Sequence, residues 1–151
     1  MDLIVSIGIC VGILAGIWGQ FSGNLGLITW VGFVSWASFY AAGGKTGGLL
    51  KSAAANISGI IWALFMVHGA QLLGFPYAIG ITIAIGACMM CVQSKIKFLS
   101  FIPGAFLGCS CLFGTNIDIV GTALALMLGN LFGFASEWCG VKLSKMTTKS
   151  K

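Results

Sequence analysis

The side chains that could carry chemistry are few and scattered: six cysteines, one histidine and three carboxylates in 151 residues. Cys88-Met89-Met90-Cys91 is a CxxC with soft sulfur neighbours, and Cys109-Ser110-Cys111 lies further on. Thiolates and thioethers suit Cu(I) and related soft metals, so Cys88 and Cys91 are a candidate metal or redox pair. Spacing alone is a weak signal inside an apolar stretch, where cysteine also serves as a small hydrophobe. His68, close to Gln71, could titrate near neutrality and act in a proton-linked gate; the plainer reading is a solvated histidine at a membrane interface. Glu137, with Lys142 five residues on, reads as a carboxylate facing lipid headgroups. No nucleophile with a base, no acid/base pair and no phosphate-cradling loop emerges, so an enzyme is not expected and no cofactor is called for.

Two asparagines are more informative. Asn56 and Asn130 each open an Asn-x-x-Gly element, ending at Gly59 and Gly133, and the same offset of 74 pairs Ile7 with Ile81, Gly12 with Gly86, Phe39 with Phe113, Gly47 with Gly121 and Leu50 with Leu124. An amide in hydrocarbon must find hydrogen-bond partners. Two readings follow. The pair could line a path for a small polar solute, with Gly59, Gly133, Thr29 and Ser110 along it, or it could join helices to one another.

The elements that must hold these residues follow from composition. The chain is 58% hydrophobic and only 7% charged, against about 25% charged in an average soluble protein. That is the composition of an integral membrane protein. Apolar tracts run roughly over 3–20, 25–42, 48–70, 76–94, 98–116 and 118–139. They lack the alternation of barrel strands, so the expected fold is all-α with six transmembrane helices in one domain over 1–151.

The lysines fall at Lys45 and Lys51, at Lys95 and Lys97, and in a basic tail over 142–151. Six crossings put them all on one face, and lysine enrichment marks the cytoplasmic face. Both termini are therefore expected in the cytoplasm. Charge this sparse, placed at tract ends, does not form a nucleic-acid surface.

If the offset of 74 is a true repeat, halves 1–74 and 75–151 hold three crossings each. An odd number inverts the second half relative to the first. The second and fifth tracts are candidates for broken helices, because Thr29 to Gly43 and Pro103 to Gly114 are too short for a full crossing and Gly23–Gly26 and Phe98–Phe101 are open to an irregular or a helical reading. Gly8, Gly12 and Gly16, and again Gly104 and Gly108, flatten one helix face for close packing within a protomer or in a homo-oligomer.

Three segments carry a resemblance. Thr29-Trp30-Val31-Gly32-Phe33-Val34-Ser35-Trp36, Gly48-Leu49-Leu50-Lys51-Ser52-Ala53-Ala54-Ala55-Asn56 and Phe101-Ile102-Pro103-Gly104-Ala105-Phe106-Leu107-Gly108 resemble the small bacterial inner-membrane family typified by YcdZ. The resemblance covers nearly the whole chain and implies one six-helix domain in the bacterial inner membrane. It implies no catalytic residues. The expected function is a channel or facilitator for a small, neutral polar solute, with a non-transporting assembly or scaffold protein as the alternative and soft-metal handling through Cys88 and Cys91 as a third reading.

Overall fold

The computed structural model describes residues 2–149, and among these there is no strand. Six α-helices follow one another: α1 (Leu3–Phe21), α2 (Thr29–Ala41), α3 (Lys45–Leu73), α4 (Ala78–Val92), α5 (Ile102–Gly114) and α6 (Ile119–Lys149). The number of helices agrees with the six apolar tracts. Four segments are long and apolar enough to cross a membrane: Leu3–Phe21, Lys45–Leu73, Ala78–Lys95 and Ile119–Thr147.

The other two are short for a physical reason. Helices α2 and α5 have 13 residues each, about 20 Å at 1.5 Å per residue, against a hydrocarbon core of about 30 Å. Before α2 the chain makes a 3-10 turn at Gly23–Leu25, takes a left-handed residue at Gly26 and reaches Ile28 extended. Before α5 it makes 3-10 turns at Gln93–Lys95 and Lys97–Leu99. Pro103 sits in the first turn of α5, where its missing N–H leaves no hydrogen bond broken.

Two helix boundaries run well beyond the sequence expectation. Helix α3 starts at Lys45 within the glycine-rich turn, and the basic segment after residue 142 continues α6 to Lys149 as helix. Positions 150–151 of the expected tail lie outside the described residues. The early start of α3 has a cause remote in sequence. Gly43 and Gly44 turn the chain with φ of 99° and 63°, and Gly44 offers no side chain to cap the helix. The carboxylate of Glu137, on α6, accepts the Lys45 backbone N–H at 2.6 Å. A negative charge at a helix N-terminus satisfies a free N–H and opposes the helix dipole.

Packing runs across the chain. Helix α2 lies on α6 and α5 on α3; α1 lies on α6 and α4 on α3; α3 and α6 cross, and α2 meets α5. Neighbours approach through glycine. A side chain at Gly59 would overlap the backbone of Ala105, one at Gly108 the backbone of Asn56, and one at Gly129 the backbone of Gly32.

The outer surface is apolar, and the interior mixes an apolar core, including Val31, Phe39, Met66, Leu112 and Leu126, with uncharged polar side chains. Ile4, Ile13, Leu25, Leu50, Ile61, Leu72 and Val120 are each more than 59% exposed, while the buried polar side chains are Ser6, Ser22, Ser35, Ser38, Ser52, Asn56, Ser58, Thr82, Thr122, Asn130 and Ser136, none of them charged. Apolar side chains outside, with hydroxyls and amides paired within an otherwise apolar interior, are stable where the solvent is hydrocarbon. Trp18, whose type suits an interfacial belt, is instead buried: its ring covers Gly32, and its indole N–H donates to Thr29 O at 2.9 Å.

Candidate functional site: a buried asparagine–serine cluster

Asn56 and Asn130, 74 residues apart in the sequence, meet where α2, α3 and α6 converge. Helical spacing places the contributing residues on three faces. Ser35 and Ser38 lie one turn apart on α2, as do Ser52 and Asn56 on α3, while Thr122, Leu126 and Asn130 recur every four residues on α6. Each of these residues is fully buried.

Ser35 is the hub. Its hydroxyl donates to the backbone carbonyl of Leu126, and it accepts from Asn130 Nδ2 and, at 3.4 Å, from Asn56 Nδ2. Asn130 Nδ2 also donates to Leu126 O at 3.1 Å. On the other side, Ser38 donates to Asn56 Oδ1 at 3.0 Å and pairs with Ser52 at 2.8 Å. One atom stands apart. Asn130 Oδ1 is buried and has no hydrogen-bond partner, a condition that costs about 1–3 kcal/mol relative to a paired acceptor.

Further hydroxyls flank the cluster. Thr115, at the end of α5, pairs with Thr122 at 2.6 Å. Ser136 receives the Trp36 indole N–H at 3.2 Å and pairs with Tyr40 at 2.8 Å. Next to the crossing, a groove of about 470 Å³ is lined by Ala53, Ala54, Ile57, Ser58, Ile61, Phe98, Leu99 and Met127. It is apolar, and neither asparagine lines it.

The other sequence candidates separate into distinct roles. Gly59 and Gly133 lie against α5 and the Phe39 ring and serve as helix contacts. Thr29 is not in the cluster: its hydroxyl pairs with Ser22 at 2.6 Å and closes the α1–α2 connection. Ser110 is exposed, because α5 turns Ala105, Gly108, Cys109 and Leu112 inward and a residue two positions from Gly108 points about 200° away. Gly104 and Gly108 pack tightly, as expected, against Ala55 and Asn56. Gly8, Gly12 and Gly16 do not pack inside the chain; no atom comes within 4 Å of a side chain built on them.

Cys88 and Cys91 are both exposed on α4, and no group of three or more His, Cys, Asp or Glu among the described residues is placed to hold a metal ion. His68 is exposed, with Nδ1 2.9 Å from Leu64 O. Glu137 caps α3 rather than pairing with Lys142, whose ammonium lies 4.9 Å over the Trp138 ring.

Both asparagines of the expected path lie in the cluster, while Ser35, Ser38 and Ser52, which join them, were not among the expected residues. Serine is common in membrane helices, and only the i, i+4 relation of Ser52 to Asn56 could have drawn attention to one of them.

Comparison with known proteins supplies the family. The family described as "Protein of unknown function (DUF1097)" matches residues 8–141. The inner membrane protein YcdZ of Escherichia coli (strain K12) is 37% identical over 99% of this chain and 93% of its own length. An uncharacterized protein, YahC, of the same organism is also 37% identical, over 99% of this chain and 98% of its own length. YcdZ of Salmonella typhimurium (strain LT2) is 38% identical over 95% and 91%. No solved structure matches the chain. With its multi-pass apolar helices and these full-length relatives, the chain belongs to this small family of bacterial inner-membrane proteins of unknown function.

Proposed function

We propose that this protein is a passive channel or facilitator for a small, neutral polar solute, built as a three-plus-three inverted repeat. The path runs along the Ser35–Ser38–Ser52–Asn56–Asn130 cluster. The carrying observation is that five uncharged polar side chains from three helices converge at full burial in a membrane protein. Buried charge, which an ion-coupled pump normally uses, is absent from the cluster. Its side chains are in mutual contact, so passage requires the three helices to part.

Support for the inverted repeat comes from the packing. Exchanging α1 with α4, α2 with α5 and α3 with α6 interchanges the α2–α6 and α3–α5 contacts and the α1–α6 and α3–α4 contacts, and leaves α3–α6 and α2–α5 in place. The 13-residue α2 and α5 fall at equivalent places, each after 3-10 turns. Cytoplasmic termini fit the same frame: Gly140 of α6 lies on Ile7 of α1, and Glu137 holds the Lys45 turn, so the start of α1 and the lysine-bearing start of α3 lie with the last turns of α6 at one end.

Flux of a panel of small neutral solutes into proteoliposomes tests the reading, with solute entry above that of empty vesicles expected. Leucine at both Asn56 and Asn130 should abolish it in protein that remains folded; unchanged flux would sink the path assignment.

A second reading has its own observation. The open glycine face of α1 at Gly8, Gly12 and Gly16 suits a membrane protein that assembles with another helix or with its own copies and transports nothing. Protein of that kind would show no flux for any solute and would run as a defined larger species in mild detergent.

A further inference from the structure

The proton count at the helix crossing is closed on one side and open on the other. Ser35 gives its hydroxyl proton to Leu126 O. Ser38 gives its proton to Asn56 Oδ1, which leaves Ser52 to donate to Ser38. No serine hydroxyl in the cluster retains a proton for Asn130 Oδ1, and that atom has no other partner. Reversing the Asn130 amide makes matters worse. The reversed oxygen could take the Ser35 proton only by taking it from Leu126 O, which it would then face at 3.1 Å as a second acceptor, and the NH2 would lose both of its acceptors.

The two halves differ at the corresponding positions. Asn56 Oδ1 is served by Ser38, which is backed by Ser52. Seventy-four residues on from these serines stand Leu112 and Leu126, both fully buried and neither with a side-chain donor. The second asparagine thus keeps the donors of its amide in use and presents an empty acceptor. Such an atom, fully buried in a cluster of uncharged polar groups, recognises one kind of chemistry.

We propose that Asn130 Oδ1 is the binding atom for a small neutral molecule carrying an O–H or N–H donor, and that acceptor-only molecules of similar size are not held there. The inference rests on the path reading above, and it assigns the solute class by the sense of the hydrogen bond. Water, ammonia, small amides and small alcohols share that chemistry. The crossing must open for any of them to enter, and the contact at Asn130 is remade with each occupant.

The sequence contains four asparagines, Asn24, Asn56, Asn116 and Asn130, so selective labelling of asparagine side chains gives a simple NMR spectrum of the protein in nanodiscs. The probes are water, urea and dimethyl sulfoxide. Cross-relaxation between water and the Asn130 side chain, or a saturable shift of its carbonyl signal with urea, is expected. Dimethyl sulfoxide should produce no shift, and Asn56 should respond to none of the three.

Water contact without a urea shift supports the donor site and limits it to water. A urea shift extends it to amides. No water contact and no urea shift, or an equal shift with dimethyl sulfoxide, overturns the proposal. Ser38→Ala removes the donor to Asn56 Oδ1, and Asn56 should then acquire the response that Asn130 shows. If that variant fails to fold, the wild-type spectrum still decides. Binding at Asn130 in protein that moves no solute would leave this inference standing and overturn the transport reading. Flux with a silent Asn130 would do the reverse.

Discussion

Asn56 and Asn130 share a residue type and a burial, yet their environments differ by one proton. Asn56 has both ends of its amide engaged, whereas Asn130 has only its nitrogen engaged. Replacing Asn56 by leucine leaves the Ser38–Ser52 pair with one proton that has no acceptor and should lower stability by about 1–3 kcal/mol. Replacing Asn130 by leucine loses two hydrogen bonds but also removes an unsatisfied acceptor, so its net cost should be smaller. Thermal unfolding of the two single variants in the same detergent checks the order. A greater loss at position 130 would mean that its oxygen is already paired in the resting protein, as it would be with a tightly held water at the proposed site.

At the scale of elements, close backbone approach makes a sharp contrast between two sets of glycines. Gly59→Val and Gly108→Val would each drive a side chain into the backbone of a facing helix, at a cost of about 1–3 kcal/mol or more. Gly12→Val meets open space and should leave the protomer's stability within about 0.5 kcal/mol of wild type. Unfolding titrations with a denaturing detergent would separate the two outcomes. The Glu137 cap makes a third case. Glu137→Gln keeps an acceptor but loses the charge facing the start of α3, a change of about 0.3–1 kcal/mol. Faster hydrogen exchange at the amides of residues 45–48, with the rest of α3 unchanged, is the expected readout.

The elements also show what could be read in advance. Uniform hydrophobicity over long tracts revealed six helices, and Pro103 marked the start of α5 almost to the residue. The start of α3 was not legible, because the backbone N–H of Lys45 at that start is met by a carboxylate 92 residues away. Nor was the cluster around the asparagines. Helices that are apolar on every side carry little periodic signal, so nothing singled out Ser35 and Ser38 as inward-facing. The Asn-x-x-Gly repeat was visible because asparagine is rare in such helices and its spacing repeats. Glycine spacing showed close packing without showing its address: the same four-residue period is filled at Gly104 and Gly108 and left open at Gly8, Gly12 and Gly16.

For the whole molecule, the proposed orientation makes a topological prediction. In protein whose own cysteines have been replaced, single cysteines at positions 45 and 95 should react with an impermeant thiol reagent from the cytoplasmic side. One at position 118 should react from the opposite side. A split between 45 and 95 would rule out the lysine-face assignment and the inverted halves together. The single Glu137 contact bears on how such a molecule comes into being. The first half of the chain leaves the ribosome with α3 lacking its cap, and that cap arrives only when nearly all of α6 has been made. Until then the α2–α3 hairpin lacks both that cap and the α6 groups, Leu126 O and Asn130, that meet Ser35. Synthesis stopped ahead of residue 137 should yield a fragment that inserts, stays frayed at Lys45 and is cleared by quality-control proteases.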